Sequence, residues 1–312
     1  MAHDDDHTLH AGEPAVAAWR RAVEVLLASA IHRLRPTDAN TAEDIHAVRV
    51  AIKHTRALLR MIRPALPERI YLAKDDHLKA AARQLSKLRD ADVGRDLLRD
   101  LSTKARGRNE KRAFASVRAS YESASAGGRS QNRERARRAV IGALESSRAD
   151  LRVLPVEADE WVAIGPGAEA IYRSCRRRMH KALRSGDDRA FHRWRTRLKN
   201  LLHVLQFLAP IQPKKLGKLA KKLTRLHQLI GADHDLIILT ATLSGQTKET
   251  SDTALVSVVL RRVKRERANL RKKIRHLAVA TLEEKPGHFL RRLGRRWMKW
   301  RSQGGAGSGR AH

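Results

Sequence analysis

Apolar residues recur three and four positions apart along nearly the whole chain, the spacing that gathers them on one face of an α-helix. The positions between are dominated by Ala, Arg and Lys, which sustain helix rather than strand. The pattern predicts an all-α protein. Residues 256–260, VSVVL, are rich in β-branched side chains, but they run on into RRVKRERANLRKKIRHL, whose period is helical. Turn chemistry predicts breaks at 36–40, 64–67, 123–130, 155–167, 185–188, 210–213 and 244–252. Residues 1–11 and 302–312 read as disordered tails, leaving one helical domain over 12–301.

Within that domain the pattern occurs twice. His46 begins HAVRVAIKHTRALLRMIRPALP, and His192 begins HRWRTRLKNLLHVLQFLAPIQP. From each His, Arg follows at +3, Lys at +7 and Pro at +18 and +21. Asp90 lies 44 residues beyond the first His, and Asp235 lies 43 beyond the second. Composition alone does not keep polar, basic and proline positions in step over such lengths. The chain is read as an internal duplication, with halves at about 12–155 and 160–300 joined by PVEADEWVAIGPG.

Each repeat, wound at about 100° per residue, separates into two faces. His46, Arg49, Lys53, Arg56 and Arg60 fall on one arc, and His192, Arg195, Lys199, His203 and Gln206 fall on its duplicate. Val48, Ile52 and Leu59 take another face in one half; Trp194, Leu198 and Leu205 take it in the other. A helix face turned to water ordinarily mixes signs and gains i,i+4 pairing. Here no acid interrupts the run from His46 to Arg60, and the helix after the second repeat adds Lys214, Lys215, Lys218, Lys221, Lys222 and Arg225 without one. Unopposed cations on successive turns repel unless an anion sits among them. Arg supplies a planar fork for phosphate, Lys a mobile point charge, and His a proton that follows the ligand.

Composition supports this reading. Lys and Arg total 65 against 33 Asp and Glu, a formal charge of +32 over 312 residues. Self-repulsion on that scale calls for a polyanionic partner. Aromatics are 4% of residues, too few to make stacking on nucleobases a leading mechanism. The lone Cys175 excludes an intrachain disulfide framework and fits a reducing compartment. The N-terminus, MAHDDDHTLHAGE, shows no signal peptide, and no apolar run is long enough for a membrane helix, so the cytoplasm is the expected location.

The duplicated segments resemble the signature helices of the CHAD family, the conserved-histidine α-helical domain. LSKLRDADV at 85–93 and LIGADHDLIIL at 229–239 are similar to that family's aspartate-bearing segments, and IYRSCRRR at 171–178 to its tyrosine-and-arginine helix. The resemblance covers about 12–300. It implies a pseudo-twofold bundle of long helices around a basic central channel that binds inorganic polyphosphate, in proteins associated with polyphosphate granules. Carried over by position, it adds Tyr172 and Arg176 to the stripe residues as ligand-facing candidates. Where the second signature helix usually has Arg-Tyr this chain has Leu202-His203, so the resemblance implies that the second half either grips less firmly or uses His203 instead. No segment resembling the CYTH domain, a frequent fusion partner in the family, lies within these residues.

Other constellations lead elsewhere or nowhere. His234-Asp235 invites a metal phosphohydrolase reading, but that chemistry needs further ligands, and the duplicate position carries Arg89-Asp90. Asp90 and Asp235 are expected instead to cap a helix or pair with a cation. His3, His7 and His10 belong to a tail, Cys175 is expected to be inert, and Trp297 with Trp300 to close the last helix onto the bundle. No nucleophile–base pair, P-loop or carboxylate cluster is found, so no catalytic residues, cofactor or metal are expected. The expectation is non-catalytic binding of polyphosphate through His46, Arg49, Lys53, Arg56, Arg60, Tyr172, Arg176, His192, Arg195, Lys199, His203, Lys218 and Lys222, at cytoplasmic granules. Granule proteins or other polyanions are further candidate partners, and a membrane is not. A nucleic-acid-binding or condensing protein is the rival, and a polyphosphate-processing enzyme a third reading.

Overall fold

The structure, a computed structural model, describes residues 7–35, 42–103, 129–246 and 253–308, and among them every regular element is helical. Nine α-helices follow one another among these residues: α1 (Ala15–Leu34), α2 (Ala42–Ile62), α3 (Glu68–Thr103), α4 (Arg129–Arg152), α5 (Glu160–Ser185), α6 (Asp188–Leu208), α7 (Pro213–Gln246), α8 (Thr253–Thr281) and α9 (Pro286–Ser308). VSVVL is the start of α8, so the helical period overrides the β-branched composition there. The break expected at 36–40 lies outside the described residues, as do most of those expected at 123–130 and 244–252, although α7 runs through 244–246.

The two signature segments fold into the same local string. Each is a 21-residue helix, α2 or α6, followed by a three-residue 3-10 turn around a proline, Arg63–Ala65 or Ala209–Ile211, and then a long helix. A proline at each turn removes an amide and stops the α-helix. The apolar faces are buried as the pattern demands: Val48, Ile52, Leu59, Trp194 and Leu198 have no exposure, and Leu205 has 1%.

Two compact units divide the chain. One comprises residues 20–59 and 66–155, the other 1–19, 60–65 and 156–312. In the first, polar ties hold the helices at their rims. Arg148 on α4 pairs with Glu24 on α1, Lys74 on α3 with Asp150 on α4, and Arg33 on α1 with Asp44 on α2. Arg137 donates to the Leu34 carbonyl that ends α1.

In the second unit α6 packs between α5 and α7, α8 lies on α7, and α9 lies on α5. Asp187 caps α6 by accepting from the Ala190 amide at 2.9 Å, and Gly186 closes α5 in the left-handed conformation at φ 65°. The segment expected to be a boundary through residue 167 is already helix from Glu160. Helix continues through Pro166 because Ala163, Ile164 and Ala168 on either side are buried. Gly167 is what lets α5 approach so closely: a Cβ there would lie 1.6 Å from the Met61 carbonyl oxygen. Trp161 packs against Trp297 at 5.9 Å between centroids, and Trp297 against Trp300 at 5.5 Å, so the last helix is held by its aromatics.

Both expected tails are partly structured. Leu9 is buried at 1% exposure and its amide donates to the Phe207 carbonyl, and Arg301 donates to the carbonyls of Ala11 and Glu13. At the other end α9 continues to Ser308, past the expected boundary at 302. The buried Leu9 and these hydrogen bonds together anchor the segment.

Candidate anion-binding site

The second unit places His192, Arg195 and Lys199 on one side of α6, where they face α7. The α6–α7 hairpin turns near Pro213, so residues equally far from it in sequence meet. The rings of His192 and His234 lie 5.6 Å apart at 48°, and the Arg195 guanidinium lies over the bare backbone of Gly231, with Nη2 3.6 Å from where a Cβ would stand. Lys199 follows one turn further along, half-buried. None of His192, Arg195, Lys199 and His234 forms an ion pair among the described residues. The Nε of Arg195 is buried without a hydrogen-bond acceptor.

The electrostatics follow from this geometry. Burial, then His234, Arg195 and Arg193, hold the His192 imidazole below its usual pKa. Burial, then Arg195, pull the Lys199 ammonium down as well. Both shifts mean that the charged forms lack a counter-charge. An anion entering here would meet preformed donors and relieve repulsion at the same time.

The stripe of the first unit lies on α2. His46 and Lys53 are exposed, and Arg49 and Arg60 are half-exposed. Arg56 differs. Its fork closes on Asp75 of α3 with two hydrogen bonds of 2.8 Å; burial would lower its pKa, but Asp75 outweighs this and raises it. The α2 face is acid-free in sequence, but a carboxylate reaches it from the next helix.

Several expected ligand residues have other employment. Tyr172 is 1% exposed, stacks on Phe289 at 4.5 Å and donates its hydroxyl to the Glu284 carbonyl at 2.9 Å; burial pushes its pKa up to about 12. It is a packing residue, not a surface donor. His203 is 2% exposed, 3.2 Å from Gln206 Oε1, so it is not an accessible substitute in the stripe. Arg176 uses its Nε on the Leu282 carbonyl at 3.0 Å. Lys218 and Lys222 are exposed but lie on the side of α7 that carries Leu229 and Asp233 toward α8, away from His234. That side opens into a cavity of about 440 Å³ lined by Arg225, Leu229, Lys272, Lys273, His276 and Leu277. Burial pushes the Cys175 thiol up to about 12, consistent with an inert side chain.

The aspartates also sort differently. Asp235 is exposed, whereas Asp233, two positions earlier and 1% exposed, pairs with Arg267 and Arg271 of α8. The side chain of Asp90 lies outside those described. Sequence reasoning read His234 only as half of a metal motif. The hairpin register through Pro213, which was legible, would have paired it with His192. Among the described residues no three His, Cys, Asp or Glu gather as metal ligands, and no helix is long and apolar enough to cross a membrane.

Comparison with known proteins bears on the fold. A crystal structure of the CHAD domain from the plant Ricinus communis superposes with a TM-score of 0.56 at 16% identity, covering 88% of this chain and 94% of that one. No curated protein matches the sequence significantly. The CHAD domain family matches residues 11–244, three quarters of the sequence including both signature helices, and the chain belongs to that family.

Proposed function

We propose that this protein binds inorganic polyphosphate without turning it over, and that this binding directs it to polyphosphate granules in the cytoplasm. The observation that carries the reading is Lys199, half-buried beside Arg195 with no described acid to neutralise either. Such an arrangement costs free energy in the empty protein and is relieved by a phosphate chain. From His192 to Lys199 the stripe rises about 10 Å, enough to meet several consecutive phosphates of a linear polymer. Binding of this kind is driven by charge and counterion release, with hydrogen bonds fixing the register.

An inorganic polymer suits the site better than a nucleic acid. Trp19, Trp194, Tyr172, Phe207 and Phe289 are fully buried, which leaves little aromatic surface among the described residues on which bases could stack. The test is competition between long-chain polyphosphate and duplex DNA at equal phosphate concentration in moderate salt. Polyphosphate should win clearly, and Arg195→Glu with Lys199→Glu should abolish its binding while the helical circular dichroism persists. Equal competition by DNA would favour the nucleic-acid reading, and undiminished binding by the variant would remove the stripe from the account.

A further inference from the structure

We propose that α5 carries a second anion site, built for a compact molecule bearing several phosphates rather than for a long chain. Arg173, Arg176, Arg177, His180 and Arg184 share one side of α5 within about 100° of arc and, with Pro286, line a cavity of about 420 Å³. That volume lies within the roughly 300–1,000 Å³ of small-molecule sites. None of these residues belongs to the His192, Arg195, Lys199 and His234 cluster.

The other sides of α5 are already taken. Gly167 faces the Met61 carbonyl, Cys175 lies against Trp194 of α6, and Tyr172 stacks on Phe289 of α9. The arginines occupy the sector that remains, closed on one side by the turn between α8 and α9. Their donors are partly fixed in place. The Nε of Arg176 is held by the Leu282 carbonyl, leaving its two terminal nitrogens for a ligand, and Arg173 is paired with Glu169 at one end of the row. Arg177, His180 and Arg184 form no ion pair among the described residues. Burial, with Arg176 and Arg184, lowers the pKa of His180, as expected where cations crowd without a counter-charge. Helix α9 begins at the rim with no acid in its first turn, so the partial positive charge of its N-terminus adds to the field.

The lining selects the class of ligand. Arg177 and Arg184 give forked donors for phosphate oxygens, and the terminal nitrogens of Arg176 and the imidazole of His180 add donors from other directions. No Trp, Tyr or Phe lines the cavity to hold a nucleobase, so recognition rests mainly on the phosphates. Short condensed phosphates and polyphosphorylated cyclitols share this chemistry. The site does not depend on the polymer reading of α6 and can stand if that reading fails.

Inorganic triphosphate is the probe, titrated calorimetrically into the full chain, with inositol hexakisphosphate as a second arm to distinguish the two sources. Arg177→Ala with Arg184→Ala should weaken triphosphate binding by about tenfold or more for each fork removed, while removing two exposed cations of α3, Arg69→Ala with Lys79→Ala, should leave it within about twofold. In the unaltered protein, triphosphate should shield Arg177 and Arg184 from phenylglyoxal, read by peptide mass spectrometry. Equal affinity in the α5 variant, an equal loss in the α3 variant, or equal modification with and without triphosphate would each overturn the proposal.

Discussion

Replacing Asp233 by Asn removes one charge from the most enclosed polar network described, without much change of shape. Asp233 accepts from Arg267 Nε at 3.1 Å and from Arg271 Nη2 at 3.0 Å, with 1% of its surface exposed. Asp188, at the start of α6, accepts from the same two arginines, so two carboxylates balance two guanidiniums. Arg271 also lies 4.4 Å over the Phe191 ring. The network therefore joins α8 to both α6 and α7. Breaking a buried pair by removing one partner costs about 3–5 kcal/mol. The arginine side chains here are 22% and 24% exposed and keep Asp188, which reduces the expected cost to about 2–3 kcal/mol. At roughly 2–4 °C per kcal/mol, Tm should fall by about 5–10 °C, followed by circular dichroism at 222 nm. A Tm within about 1 °C of the parent would show that Asp233 is not held between two arginines.

Four further outcomes are expected. Asp188 has its carboxyl held low because Arg271 and Arg267 outweigh its burial, so the stability it adds is present above the unfolded carboxylate pKa of about 3.9 and is lost as pH falls through the lower folded value; acid unfolding curves of Asp188→Asn should show a smaller loss in that range. His192 is likewise depressed, so polyphosphate should raise its pKa and binding should strengthen as pH falls through the raised value of the complex toward the lower one of the free protein, with net proton uptake measured by calorimetry in two buffers. Asp75→Asn should release the Arg56 fork, tightening polyphosphate binding at about 1–2 kcal/mol of stability; unchanged affinity would exclude Arg56 as a latent ligand. Tyr172→Phe should cost about 1 kcal/mol of stability by removing the bond to the Glu284 carbonyl and leave polyphosphate affinity unchanged.

Helix class and the faces of α2 and α6 were legible because burial follows a 3.6-residue period, and a turn-forming proline ends each segment. Partners brought in from other helices were not. Nothing local to Arg56 announces Asp75, and nothing in ADHD distinguishes Asp233, which is buried, from Asp235, which is exposed. Both depend on where a neighbouring helix packs. Tyr172 illustrates the same limit for resemblance, since a motif position carries a residue type but not its orientation. The arginine row of α5 was visible as composition, yet its cavity exists only because the α8–α9 turn closes one side. The segment around Leu9 shows the reverse case, in which a buried side chain and hydrogen bonds from Arg301 hold a stretch whose composition reads as tail.

The central claim is that cations on α6 meet phosphates directly, and the salt dependence of binding tests it without reference to any one affinity. Long-chain polyphosphate should bind the full protein with a constant that falls steeply and linearly on a log–log plot against salt. Arg195→Ala with Lys199→Ala should lower the magnitude of that slope by about 2, one for each phosphate no longer neutralised, together with weaker binding at every salt concentration. A slope and affinity identical to those of the parent would contradict the account, because the α6 stripe would then make no contact with the polymer.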